Sequence, residues 1–242
     1  MIFIKKIEAI VRAEEERRNF GIGSSEPIDI FNLLKYKEKI SVIKMIFSSD
    51  ISGMILTKGN DKVIIINSEM SLGRQRFTAA HELYHLKYDK DFNKSDKFED
   101  EADEFASHFL MPSPALREEI YKRIDGKGKL KIEDVMYLEN YFGISHKAIL
   151  KRLKVEKYIN SKEYDSFANI RVKKIARDLG YNLSLYNPTL EKYEVYSNYA
   201  EIAKKKYEAG KMSLGKYENY LLEGGYENIV FGDDTQEDDA CE

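Results

Sequence analysis

Two of the chain's four histidines stand four residues apart in the run Arg76-Phe77-Thr78-Ala79-Ala80-His81-Glu82-Leu83-Tyr84-His85. On a helix, residues at i and i+4 lie one above the other on the same face. Two neutral imidazoles at that spacing can grip one Zn²⁺, and the Glu82 between them can act as general base toward an attacking water. Around the helical wheel, Phe77, Ala79, Ala80, Leu83, Tyr84 and Leu86 cover most of the circumference. A single arc holds Thr78, His81, Glu82 and His85. A solvated face would instead spread Lys, Glu and Gln over a wide polar side. The pattern predicts a buried helix whose strong polar groups are His, Glu and His. Such groups are costly to bury unpaired, and a metal would satisfy them.

A catalytic zinc takes three protein ligands and keeps a fourth position for water or substrate. Downstream, Phe98, Ala102, Phe105, Ala106, Phe109 and Leu110 recur at helical spacing until Pro112 ends the run. Several carboxylates on this helix compete to be the third ligand. Glu99 falls within the apolar arc, Glu101 just outside its opposite edge, and Asp100 and Glu104 point to water. Position favours Glu99. Asp103 lies one turn further along the same face, where it can accept the second N–H of a ligating histidine and fix its tautomer. His108 falls on the polar side of this helix and is expected at the surface. His146, in Gly143-Ile144-Ser145-His146, opens a further helix as a surface or capping residue.

Beyond the motif, the blocks Ser52-Gly53, Val63-Ile64-Ile65-Ile66-Asn67 and Arg74-Gln75-Arg76-Phe77-Thr78 make the reading narrower. So do Glu99 with Ala102, Phe105, Ala106 and Leu110-Met111-Pro112, then Ile132-Glu133-Asp134, Phe142-Gly143-Ile144-Ser145 and Leu150-Lys151-Arg152-Leu153. In this order they resemble the ImmA/IrrE family of metallo-endopeptidases, over roughly residues 25 to 155. The resemblance implies a gluzincin-like zinc site whose third ligand is a Glu on a following helix, four residues before an Asp or Asn. Those positions map onto Glu99 and Asp103. One departure is Tyr84, where the family often has Gly before the second His. The resemblance also implies a substrate: a helix-turn-helix repressor of a mobile element, prophage or stress response. The rival readings are a zinc-containing regulator that binds a repressor or antitoxin-like partner, and a DNA-binding regulator, both without proteolysis.

The elements that must position these groups read as a small sheet followed by helices. A helix over 5–19 stops near Gly21 and Gly23, and Pro27 opens a second through Leu34. A strand is expected at 40–47, then a hairpin of 52–57 and 62–67 around Lys58-Gly59-Asn60-Asp61. An edge strand there would hold an extended substrate by main-chain hydrogen bonds. Helices follow at the motif, at Glu99, at 114–124 and at 132–142. Residues 138–153 read like a helix-turn-helix with Gly in the turn. The segment lacks the basic and amide side chains of a groove-reading helix, which favours a helical pair that closes the domain.

The fold class expected is α+β: residues 1–157 form a mostly helical zincin-like domain with a small N-terminal sheet. A smaller, mainly helical domain spans 161–231, with helices at 166–179, 195–208 and 214–223. Its interleaved Tyr and Lys read as half-buried rings more readily than as a nucleic-acid platform. Residues 232–242 read as an acidic, disordered tail. A net charge of −3 offers no broad basic footprint for nucleic acid. The lone Cys241 excludes a disulfide framework and suits a reducing, cytoplasmic setting. The segment Met1–Ile7 is too short and too soon charged for a signal peptide, and no apolar run is long enough to span a membrane.

Overall fold

The computed structural model describes residues 2–47, 51–89, 96–124, 128–189 and 193–232. In chain order these form α1 (Ile2–Asn19), α2 (Ile30–Leu33) running into a π-helical turn (Leu34–Glu38), then strands β1 (Ser41–Met45), β2 (Gly53–Lys58) and β3 (Asp61–Asn67). Five helices follow: α3 (Leu72–Tyr88), α4 (Asp96–Leu110), α5 (Ser113–Arg123), α6 (Ile132–Phe142) and α7 (His146–Val155). The remainder is α8 (Ser161–Ala168), α9 (Val172–Asp178), a 3-10 turn (Leu183–Tyr186), β4 (Tyr193–Tyr196), α10 (Tyr199–Glu208), α11 (Leu214–Glu223) and α12 (Glu227–Phe231). The architecture is α+β, as the sequence implies.

The strands lie in the order β2-β3-β1-β4. β3 pairs antiparallel with β2 across the hairpin and parallel with β1. Alternation sets which face is covered: Val42 on β1 and Ile64 and Ile66 on β3 are fully buried. They join Ala79, Ala80 and Leu83 of α3 and Ala102, Phe105, Ala106 and Phe109 of α4 in one core. Each large apolar side chain buried in this way contributes about 1.5–3 kcal/mol, so the helix carrying the motif is held from several sides. α1 lies along α4, and its Arg17 Nη1 donates to the Phe109 carbonyl at 2.7 Å. β2 is left as an edge strand beside α3.

Several elements differ from the sequence expectation. The second helix starts at Ile30 rather than Pro27, because the Asp29 side chain accepts from the Asn32 N–H and caps it there. Residues 166–179 are not one helix. Asn160 and Glu163 form a capping box that starts α8 earlier, at Ser161, and α9 begins afresh at Val172. α9 then seats Ala176 against Met136, Leu185 and Tyr186. The helix expected over 195–208 begins instead at Tyr199, because Tyr193–Tyr196 extend as β4 and pair antiparallel with β1. Tyr-Glu-Val-Tyr has the alternation and side chains of a strand, and a partner distant in sequence decides it. The C-terminal part of the chain therefore supplies a strand to the N-terminal sheet. The tail from 233 to 242, with Cys241, lies outside the described residues. No helix among the described residues is long and apolar enough to cross a membrane.

Candidate metal centre

α3 presents His81 and His85 on one arc that faces the cleft, His81 partly exposed and His85 buried. Their Nε2 atoms face each other at 3.2 Å. Glu99, in the first turns of α4, places Oε2 at 3.2 Å from His81 Nε2 and Oε1 at 3.7 Å from His85 Nε2. One ligand atom from each of the three residues lies within 4.8 Å of the others. The Glu99 side chain is half exposed, while His85 is nearly covered. The site therefore has a buried floor and one open side.

The opposite edge of each ring decides what these nitrogens can do. His81 Nδ1 lies 3.1 Å from Asp103 Oδ1, and His85 Nδ1 lies 3.3 Å from Asp89 Oδ2. A carboxylate can only accept, so with a cation held at Nε2 each ring would keep its proton on Nδ1 and donate it to its aspartate. A cation between the two Nε2 atoms and Glu99 would satisfy all three groups at once. This donor set fits a divalent cation of the zinc type, with imidazole and carboxylate ligands. Asp89 is fully buried at the C-terminal end of α3 and escaped the sequence reading. Its signal was the i, i+4 spacing from His85.

Glu101 is excluded from the cluster by its direction. It is buried on another side of α4, where it accepts from the Tyr84 hydroxyl at 2.6 Å. Tyr84 also accepts from Arg12 Nη1 at 2.7 Å. The large ring before His85 is thus fully buried and tied to α1 and α4. Burial, reinforced by the bond to Glu101, pushes the Tyr84 hydroxyl well above its ordinary pKa, so it remains a donor.

Glu82 lies beside β2. A Cβ on Gly53 would stand 2.5 Å from Thr78 Cγ2 and 3.1 Å from Glu82 Oε1, so the strand comes this close only because residue 53 has no side chain. The three groups of the cluster and Glu82 open into one cleft of about 640 Å³. Edge strand β2 contributes Gly53, Met54 and Ile55 to its wall, and α7 contributes Lys147, Ala148, Lys151 and Val155. α7 therefore forms one wall of the cleft, with Lys151 Nζ 3.1 Å from Asp103 Oδ2.

Titration follows this geometry. Burial alone would lower the His81 pKa, but the bond to Asp103 and the charges of Glu82 and Glu99 outweigh it and raise it. His85 moves the other way: burial lowers it, the neighbouring His81 adds to that, and Asp89 compensates only in part. Asp103 falls below its ordinary value despite burial, because His81 and Lys151 both favour its ionised form.

The other two histidines are elsewhere. His108 is buried rather than on the surface: Arg152 Nη2 donates to its Nδ1 at 2.8 Å and its Nε2 faces Glu104 at 3.3 Å. α7, packed over α4, brings Arg152 to it, a contact that the wheel of one helix cannot contain. Glu104, expected to point to water, is partly covered by the same contact. Asp100 is exposed as expected. His146, at the start of α7, faces Glu139 and the Phe167 carbonyl.

Comparison with known proteins adds the following. Residues 37–154 match the sequence model of the Peptidase_M78 family, described as the IrrE N-terminal-like domain. Among solved structures, a Mycobacterium tuberculosis transcriptional regulator is similar at 18% identity, over 60% of this chain and 46% of that one, with a TM-score of 0.44. The matched region thus spans less than half the length of that protein. No curated protein gives a significant match.

Proposed function

Residues 37–154 belong to the Peptidase_M78 family of IrrE N-terminal-like domains, and on that premise we propose that the chain is a zinc-dependent endopeptidase that cuts a regulatory protein. The observation that carries this reading is the convergence of the two Nε2 atoms and Glu99, with a buried or half-buried aspartate at each Nδ1. His81, His85 and Glu99 would hold the ion. When bound, zinc supplies Lewis acidity toward a peptide carbonyl and makes water a better nucleophile near neutral pH.

The chain's own groups do the rest. Glu82, one residue after His81 and open to the same cleft, takes the proton of the attacking water and delivers it to the leaving amine. Asp103 and Asp89 fix the two rings, so that neither can turn its protonated nitrogen to the centre. Gly53 lets edge strand β2 come close to Glu82, so that strand and base stand side by side. Edge strand β2 offers main-chain donors and acceptors to an extended peptide. The family resemblance points to a helix-turn-helix repressor of a mobile element, prophage or stress response as the protein cut, in the cytoplasm.

Glu82→Gln tests the proposal. Zinc stoichiometry is expected to stay near one per chain while cleavage falls by about 10²–10⁴-fold or more. A variant that keeps its full biological activity would instead establish a regulator that acts by binding a partner.

A further inference from the structure

The charges lining the cleft do not cancel evenly along its length. Near the metal cluster they are paired. Lys151 meets Asp103 at 3.1 Å, and His85 faces Asp89. Arg152 meets Glu156 at 2.6 Å. The far end is different. Arg74 on α3 and Lys147 on α7 both line the cleft and are exposed. Among the described residues neither has an ion-pair partner, and Arg74 donates only to the Ser52 hydroxyl, at 3.1 Å.

The fold brings together the backbone segments that carry these two cations. The starts of α3 and α7 are in direct contact: a Cβ on Gly73 would stand 2.7 Å from the Ile144 carbonyl carbon and from the Ser145 nitrogen. Arg74 follows that contact by one residue and Lys147 by two. Arg74 precedes His81 by seven residues on one helix, which is about 10 Å of axial rise. An extended peptide advances about 3.3 Å per residue, so this end of the cleft meets side chains about three residues from the bond held at the metal.

Resting on the peptidase reading of this site, we propose that Arg74 and Lys147 select substrates carrying an Asp or Glu about three residues from the scissile bond. The carboxylate of that residue would meet both cations. Phe77, Met54 and Ile55 leave the neighbouring part of the cleft apolar, suited to an uncharged side chain between the acid and the cut. An acidic residue there is attracted, and a basic one is repelled.

The test uses the full chain with zinc and fluorescent peptides in which a single Asp, Asn or Lys is moved along a neutral sequence. Binding is read on Glu82→Gln by anisotropy, and cleavage on the unaltered protein. At one position Asp is expected to bind about tenfold tighter than Lys, with the advantage shrinking as salt is raised. The double variant Arg74→Glu/Lys147→Glu is expected to invert that preference at that position. The milder Arg74→Gln/Lys147→Gln should flatten it, and serves if the first fails to fold. Equal binding of Asp and Lys peptides at every position, or a preference the variants leave unchanged, overturns the proposal. Acid-selective binding without cleavage by the unaltered protein would leave this selection standing and refute the peptidase, whereas cleavage without acid selection would do the reverse.

Discussion

The four histidines form two contrasting regions. In both, rings are buried beside carboxylates, and in both an i, i+4 pair on a helix is involved: His85 with Asp89, Glu104 with His108. The difference lies in the second nitrogen. His108 accepts from Arg152 at Nδ1 and donates toward Glu104 at Nε2, so its lone pair is spent. His146 faces acceptors at both nitrogens, Glu139 and the Phe167 carbonyl, which suits an imidazolium that links α6, α7 and α8. His81 and His85 each meet an aspartate at Nδ1, and their Nε2 atoms converge on each other and on Glu99. A histidine's neighbours, more than its burial, decide whether it can hold a metal.

The most severe way to break this contrast is to remove a converging group. His85→Ala or Glu99→Ala is expected to lower bound zinc well below one per chain and abolish cleavage, by metal analysis and peptide assay. His108→Ala should leave zinc stoichiometry intact, since that ring has no lone pair to offer. Zinc lost from the second variant and kept in the first would reverse the assignment.

Next in size is the loss of a ring's proton partner. Asp103→Asn or Asp89→Asn keeps the ligands but lets the imidazole change tautomer, and zinc affinity should fall about 10–100-fold in a competition titration with a chelator. An unchanged affinity would mean that the rings are oriented by packing alone.

A smaller effect sharpens the choice between carboxylates. Glu101→Ala should leave the zinc content untouched. It should cost about 1–3 kcal/mol of folding stability in denaturant unfolding, because the buried Tyr84 hydroxyl loses its acceptor. Retained stability with lost zinc would make Glu101 the ligand instead of Glu99.

The mildest prediction concerns pH. Burial pulls the His146 pKa down, but its bond to Glu139 outweighs this and raises it above the ordinary 6.5. A raised folded-state value means that the link is fully present below pH 6.5 and is lost as pH rises through the folded value. His146→Leu should therefore destabilise the protein more at pH 6 than at pH 9, in thermal melts of the metal-free chain. An equal effect at both values would show the ring to be neutral in the fold.

Much of the site was legible from local periodicity. A period of 3.6 placed His81, Glu82 and His85 on one arc and set Glu99 and Asp103 on one side of the next helix, apart from Glu101. These relations hold within single helices, so the order of residues fixes them. The hairpin of β2 and β3 and the bounds of α6 were similarly local, because turn and capping residues mark them. What the sequence could not supply were contacts between distant segments. The burial of His108 needs α7 folded over α4. β4 needs β1, some 150 residues away. The cation pair at the end of the cleft needs Gly73 pressed against Ile144 and Ser145. The amino-acid order alone determined which groups could do chemistry and on which helix face each stands. Only the tertiary structure decided which nitrogens stay unshared, since a lone pair is freed or spent by neighbours that chain proximity does not choose.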